Sequence, residues 1–236
     1  MTESPQVITI DGPAASGKST IGKLVAERLG FVYLDTGAMY RAVTLAALQR
    51  GVDTNDAMAV SDIARHVRLD LRTPTLEEAD GRQYTVLLDG EDVTWEIRAP
   101  RVDRHVSAVA AHGGVREAMV AQQQRIGQQG AVVMVGRDIG TVVMPDAPLK
   151  IYLDASLEER AHRRYLEAVA RGERLDYEQL LAAMRKRDAY DGSRDHSPMR
   201  AAADAIQLSS TGLSISEVVD AVLVLAAERL RRPVTG

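Results

Sequence analysis

Gly12-Pro13-Ala14-Ala15-Ser16-Gly17-Lys18-Ser19 is the stretch from which the rest of this 236-residue chain is read. Glycine, four residues, Gly-Lys and then a hydroxyl residue form the pattern of a phosphate-binding loop. The flanks fit it. Val7-Ile8-Thr9-Ile10-Asp11 reads as a short buried strand that stops at the first glycine. Ile21, Leu24, Val25 and Leu29 recur at helical spacing, and Gly30 ends the run. Glycines let backbone N–H groups wrap a phosphate, and a helix N-terminus adds favourable partial positive charge. Lys18 can reach the β- and γ-phosphates, and the Ser19 hydroxyl can ligate Mg²⁺.

The composition narrows the remaining classes. A 45% hydrophobic chain of this length supports one sizeable core, with room for a small insert. Its 29 basic and 33 acidic residues give a net charge of −4, so no broad basic surface for nucleic acid is expected. There is no cysteine, which removes thiolate chemistry and disulfides. The 5 histidines include no close-spaced ligand pair, so no zinc site is expected. Met1 to Gln6 is short and polar, and no apolar run approaches membrane-spanning length. The expectation is a cytoplasmic protein that binds neither membrane nor nucleic acid.

Past the loop, Phe31-Val32-Tyr33-Leu34-Asp35 reads as a second strand, and Thr36-Gly37 opens a helix running to Gly51. Strand, helix, strand, helix predicts parallel strands with right-handed crossovers. Ligands bind at the carboxyl ends of such strands, so Asp35, Thr36 and Arg41 are placed near the loop by topology. The pattern then changes. Asn55 to His66 reads as a helix with Met58, Val60 or Ile63, and Val67 as its apolar side. Val67 to Leu71 alternates, Tyr84 to Leu88 is another strand, Asp89-Gly90 signals a hairpin, and Val93-Thr94-Trp95 is a candidate third strand. This meander reads as an inserted subdomain, or else as an edge decoration of the main sheet.

Two helices are expected between Arg101 and Gln129, broken at Gly113-Gly114. Ala131-Val132-Val133-Met134-Val135 is nearly all apolar, as in a central parallel strand. It runs into Gly136-Arg137-Asp138. Leu149 to Asp154 is the next strand, Leu157 to Arg187 is mostly helical, Ala205 to Leu208 is the last strand and Ser216 to Leu230 the last helix. Fraying is expected over Arg231 to Gly236.

Asp138 at a strand end can contact an acceptor substrate, help hold a metal, or simply cap a turn. Arginines recur at strand and helix ends: Arg41, Arg116, Arg137, Arg160, Arg163, Arg164, Arg174, Arg187 and Arg194. Any one of them alone is an ordinary surface charge. Together they suit phosphoryl transfer between two phosphate esters, which gathers negative charge in one place and needs guanidinium forks. Asp188 and Asp191, between Arg187 and Arg194, read equally as a surface ion-pair segment or as a ligand-binding edge.

Four segments together resemble the bacterial cytidylate kinases: Ile8 to Thr20, Leu34-Asp35-Thr36-Gly37-Ala38-Met39-Tyr40-Arg41, Gly136-Arg137-Asp138-Ile139-Gly140-Thr141-Val142-Val143, and Leu153-Asp154-Ala155-Ser156 with Glu159-Arg160-Ala161. The likeness runs from about residue 6 to about residue 230. It implies an α/β fold: a P-loop NTPase-type parallel sheet flanked by helices, a small inserted β-containing monophosphate-binding subdomain, and a helical lid. The implied single kinase domain has a core over about 6–40, 115–156 and 200–230, an insert over about 41–114 and a lid over about 157–195. The implied reaction is transfer of the γ-phosphoryl of ATP to CMP or dCMP with Mg²⁺, by a monomer. Gly12, Pro13, Ala14, Ala15, Ser16, Gly17, Lys18, Ser19 and Thr20 would hold ATP, with Ser19 on the metal. Thr36, Arg41, Ser107, Arg116, Gly136, Arg137, Asp138, Arg187, Asp191 and Arg194 would meet CMP. Lys18, Arg137, Arg160 and Arg164 would act on the transferring phosphoryl. Thr36 keeps the hydroxyl where some members have Ser, and Trp95 stands where a small or polar residue is expected. Other acceptors (UMP, or a small molecule such as shikimate) and a nucleotide-gated binding protein are the alternative readings.

Overall fold

The computed structural model describes residues 6–193 and 199–230. In chain order, β1 (Val7–Asp11), α1 (Lys18–Leu29), β2 (Val32–Asp35) and α2 (Thr36–Gln49) come first. Next are α3 (Ala57–His66), β3 (Leu69–Arg72), β4 (Thr85–Leu88), β5 (Glu91–Asp92), α4 (Pro100–Val109) and α5 (Gly113–Gln128). Then follow β6 (Val132–Gly136), a π-helical turn (Ile139–Val143), β7 (Leu149–Asp154), α6 (Leu157–Ala170), α7 (Tyr177–Gly192), β8 (Ile206–Ser209) and α8 (Ile215–Arg229). The chain divides into two compact units, Met1–Tyr33 with Gly127–Gly236, and Leu34–Ile126. Among the described residues no helix is long and apolar enough to cross a membrane.

The first unit is built on a sheet of order β2-β6-β1-β7-β8. The pairings β1–β6, β1–β7 and β7–β8 are parallel, as the alternation of strands and helices predicts. β1 is buried over its whole length because a strand lies on either side of it. Ile8, Ile10, Val133, Val135, Leu149, Ile151 and Leu153 pack against Ile21, Val25 and Ala26 of α1 and Val218, Val219, Val222 and Ala226 of α8. With few aromatics available, this core is almost wholly aliphatic. Ile10 is fully buried in it. Ile10→Ala should lower unfolding stability by about 2–5 kcal/mol, as deletion of a buried aliphatic side chain does. Urea titration followed by circular dichroism measures it; a loss below about 1 kcal/mol would place Ile10 outside the core.

In the second unit, β3, β4 and β5 form an antiparallel meander. The hairpin lies where Asp89-Gly90 predicts it: both residues have positive φ, 53° and 93°, which the primed two-residue turn requires. The third strand is Glu91–Asp92 rather than Val93-Thr94-Trp95. So tight a turn pairs Leu88 with Glu91 directly, and the chain leaves the sheet before Val93. Met58 differs from its expected role too: it lies in the first turn of α3, 81% exposed, while Val60, Ile63 and Val67 are buried. Asp56 caps that helix through the amides of Met58 and Ala59.

Ion pairs also brace the meander. Arg82 pairs with Asp80 and Asp92 at 2.7 and 2.5 Å, and Arg72 with Glu78 at 2.7 Å. Hydrogen bonds from the Arg72 fork and from the Thr75 amide lower the Glu78 carboxyl to about 2. Trp95 has its place here. Its indole N–H donates to Asp80 at 2.8 Å, and the Arg98 guanidinium lies 5.9 Å from its ring and 5.2 Å from that of Tyr84.

Candidate active site

The phosphate loop connects the end of β1 to the first turn of α1. Ala15 is left-handed, with φ 60°, although it is not glycine. That conformation costs about 1–2 kcal/mol and belongs to a loop shaped for a ligand. The Lys18 ammonium donates to the Pro13 carbonyl at 2.6 Å and lies across the loop. Ser16 is fully buried, yet its Oγ has no hydrogen-bond partner. A buried hydroxyl without a partner is costly, and a phosphate oxygen is the partner this loop is built to receive. The donor atoms also suit Mg²⁺. Ser19 offers a hydroxyl, and among the described residues no group of His, Cys, Asp or Glu could hold an ion unaided.

Arginines reach this loop from α6. Arg160 is buried, and its guanidinium donates to the carbonyls of Ala155 at 2.9 Å and Ala14 at 3.3 Å and to Asp188 of α7 at 2.7 Å. The sequence places Asp188 only on a segment; the structure makes it the counter-ion of Arg160. Arg163, one turn on, binds Glu159 and both the Oγ and the carbonyl of Ser210. Ser210 in turn donates to the Ser16 carbonyl at 3.0 Å, which ties the loop after β8 to the phosphate loop. Nothing in the sequence marks Ser210, because the contact spans 194 residues. Arg164 lies 3.7 Å from Glu167 on the more exposed side of α6.

Gly136 ends β6 opposite Asp11 in register. The next residues are Arg137, which pairs with Asp191 of α7, and Asp138, which is buried. Asp191 is itself fully buried, and its carbonyl accepts from the Met199 amide at 2.9 Å. Arg187 lies one helical turn before Asp191 on α7. Of the residues assigned to CMP, the first unit therefore brings Gly136, Arg137, Asp138, Arg187 and Asp191 into one neighbourhood. Arg194 lies outside the described residues.

In the second unit, Thr36 is buried at the start of α2. Asp35 caps that helix by accepting from the Gly37 amide at 3.0 Å and also accepts from the Tyr84 hydroxyl at 3.1 Å. Burial raises the Tyr84 phenol well above its usual range, and the nearby Asp35 charge adds to the effect, so it remains a donor. Arg41 binds the Ile97 carbonyl at 3.1 Å and Asp103 at 2.5 Å. Arg116 is buried, with its guanidinium 5.5 Å from the Tyr40 ring. Ser107 stands on α4, half-buried. Asp35, Arg41 and Arg116 are thus held by partners inside their own unit.

A strand, glycine loop and helix with arginines gathered on the loop define a P-loop phosphotransferase. The cytidylate kinase family model matches residues 8–228. A cytidylate kinase of Chloroflexus aggregans is 56% identical, over 93% of this chain and 93% of its own length. One from Herpetosiphon aurantiacus is 52% identical, over 94% of each chain. A crystal structure of an uncharacterized protein from Eubacterium ventriosum shares the fold at a TM-score of 0.50 and 12% identity, over 94% of this chain and 98% of that one. The chain belongs to the cytidylate kinase family.

Proposed function

We propose that the protein transfers the γ-phosphoryl group of ATP to CMP and dCMP, giving CDP and dCDP. The observation that carries this reading is the phosphate loop at the end of β1, with Arg137 at the end of the neighbouring β6 anchored on buried Asp191. The backbone amides of Gly12 to Thr20 hold the donor phosphates, and the Ser16 hydroxyl gains the acceptor it lacks. Lys18 swings from the Pro13 carbonyl onto the γ-phosphoryl. A magnesium ion held by Ser19 would neutralise charge on the β- and γ-phosphate oxygens.

Arg137 and Arg41 bind the acceptor phosphate, whose oxygen is already a competent nucleophile, so no strong general base is needed. Thr36, Ser107, Arg116, Gly136 and Asp138 fix the nucleotide, with Arg116 and Asp138 reading the base. Arg187 and Asp191 approach the ribose, and Arg194 the acceptor phosphate or base. A region over about 41–114 is assigned to the monophosphate and a lid over about 157–195 to the donor. Arg160 and Arg164 of that lid stabilise the transferring phosphoryl and keep water from it. The working form is a cytoplasmic monomer.

Base choice gives the direct test. A site built to pair with the exocyclic amine of cytosine leaves buried groups unpaired when that amine is missing, which can reject such a base by up to about 10⁴–10⁵-fold. In a coupled assay, kcat/KM for CMP and dCMP should exceed that for UMP, AMP and GMP by at least about 10-fold. Comparable turnover of UMP would reassign the enzyme to a broader pyrimidine specificity. ATP hydrolysis that is equally fast without any acceptor would point to a nucleotide switch instead.

A further inference from the structure

Strand alternation sends the side chains of β1 into two environments. Ile8 and Ile10 enter the aliphatic core beneath α1 and α8. Thr9 and Asp11 therefore face the opposite side of the sheet. On that side the chain leaving β6 folds back against β1 as the π-helical turn Ile139–Val143. The Asp11 carboxylate meets it there. One oxygen accepts from the Ile139 amide at 2.8 Å and the other from the Gly140 amide at 2.7 Å. The carboxylate thus grips the two consecutive peptide units immediately after Arg137-Asp138. The approach is close: a side chain at Gly140 would put Cβ 3.0 Å from Thr9 Oγ1 and 3.3 Å from Asp11 Oδ2.

We propose that Asp11 is a positioning residue for the acceptor site, holding the turn after β6 so that Arg137 and Asp138 are presented beside the phosphate loop. The proposal rests on the reading that Arg137 and Asp138 meet CMP. Asp11 is 4% exposed, and its charged surroundings are mixed. Lys18 favours its ionised form, Asp138 opposes it, and Tyr152 is its partner in register on β7. The Lys150 ammonium is committed elsewhere, to Asp204 at 2.7 Å. Burial dominates and pushes the Asp11 carboxyl from 3.8 up to about 6 against the two amide bonds.

A carboxyl raised in this way adds stability below pH 3.8 and loses it as pH rises through about 6. At neutral pH the carboxyl is ionised and that increment is lost, while its two bonds to the turn remain. Folding and acceptor binding should respond differently when the charge is removed. Asp11→Asn keeps one carbonyl oxygen for one amide, turns an NH₂ toward the other, and escapes the desolvation of a charge. Steady-state kinetics should show KM for CMP rising about 10–100-fold, as misplacement of a substrate anchor does. KM for ATP should stay within twofold and the melting temperature within a few degrees. Gly140→Ala, which pushes the turn off Asp11 without touching the charge, should raise KM for CMP in the same direction but less.

An unchanged KM for CMP in both variants would overturn the proposal. So would parallel losses of CMP affinity, ATP affinity and melting temperature, which would make Asp11 merely structural. Arg137→Ala in the same assay separates the two layers. If it raises KM for CMP while Asp11→Asn does not, the positioning role alone fails. If it too leaves KM for CMP unchanged, the acceptor assignment fails and the positioning role with it.

Discussion

Lys18→Met should lower kcat for CMP phosphorylation by about 10²–10³-fold, the loss that follows removal of one preorganised positive group from a developing oxyanion. Methionine keeps the length and apolar stem of lysine and removes only the ammonium. The ammonium has a definite job in this structure: it lies across the loop on the Pro13 carbonyl at 2.6 Å. That carbonyl is a place to hold the charge close to where a γ-phosphate would sit, at little reorganisation cost. The reaction spreads charge over the equatorial oxygens of the transferring group, so a point charge aimed there acts more on the transition state than on bound ATP. The expected signature is therefore a large fall in kcat with a smaller change in KM for ATP. Lys18→Arg should recover little, because a planar fork does not fit a loop closed at that distance. The loop itself should survive, since its backbone is fixed by Arg160 on Ala14 and by Ser210 on Ser16. A melting curve superimposable on wild type, combined with kcat within threefold, would remove Lys18 from the chemistry.

The contrast between what the sequence discloses here and what it conceals has a physical cause. The three central strands of the main sheet, β1, β6 and β7, are buried apolar runs bounded by glycine, aspartate or proline, so period and punctuation expose them. The Asp89-Gly90 turn is equally plain, because few dipeptides tolerate two successive positive φ values. The π-helical turn at Ile139 is another matter. No periodicity marks it, and its shape depends on a carboxylate that bonds Gly140 across 129 residues of sequence. The arginines are visible as charges, but their pairing is tertiary. Arg137 could be called a phosphate ligand from its strand end, whereas its anchor Asp191 lies on a helix 54 residues further along, in a segment that reads equally as surface. Arg160 could be placed beside the loop, but its bond to Ala14 could not. Asp11 was legible only as a strand terminus, since a single buried carboxylate leaves no periodic trace.

Gly12→Ala should be the most damaging single-methyl change in the chain. The added Cβ would lie 2.0 Å from the Leu153 carbonyl oxygen and 3.1 Å from its carbon. Both atoms belong to the backbone of β7, which is hydrogen-bonded between β1 and β8 and cannot retreat. The φ of Gly12 is 147°, a conformation that residues with a side chain rarely adopt. Backbone strain of this kind costs about 1–3 kcal/mol before any clash is counted. A total near 3 kcal/mol lowers the melting temperature by about 6–12 °C at this chain length. The functional loss should be larger than the thermal one. To relieve the clash the end of β1 must move away from β7, and the phosphate loop begins at that residue. ATP affinity should therefore drop at least about 10-fold, and kcat with it. Gly30→Ala is the matched control: Gly30 also has positive φ, 69°, but nothing lies within 4 Å of its added Cβ. It should cost only about 1 kcal/mol and leave both kinetic constants unchanged. Equal effects of the two substitutions, read by calorimetry and by titration with ATP, would mean that positive φ alone matters at Gly12. A selective loss at Gly12 would show that this glycine is required because the carbonyl of β7 occupies the space a side chain would need.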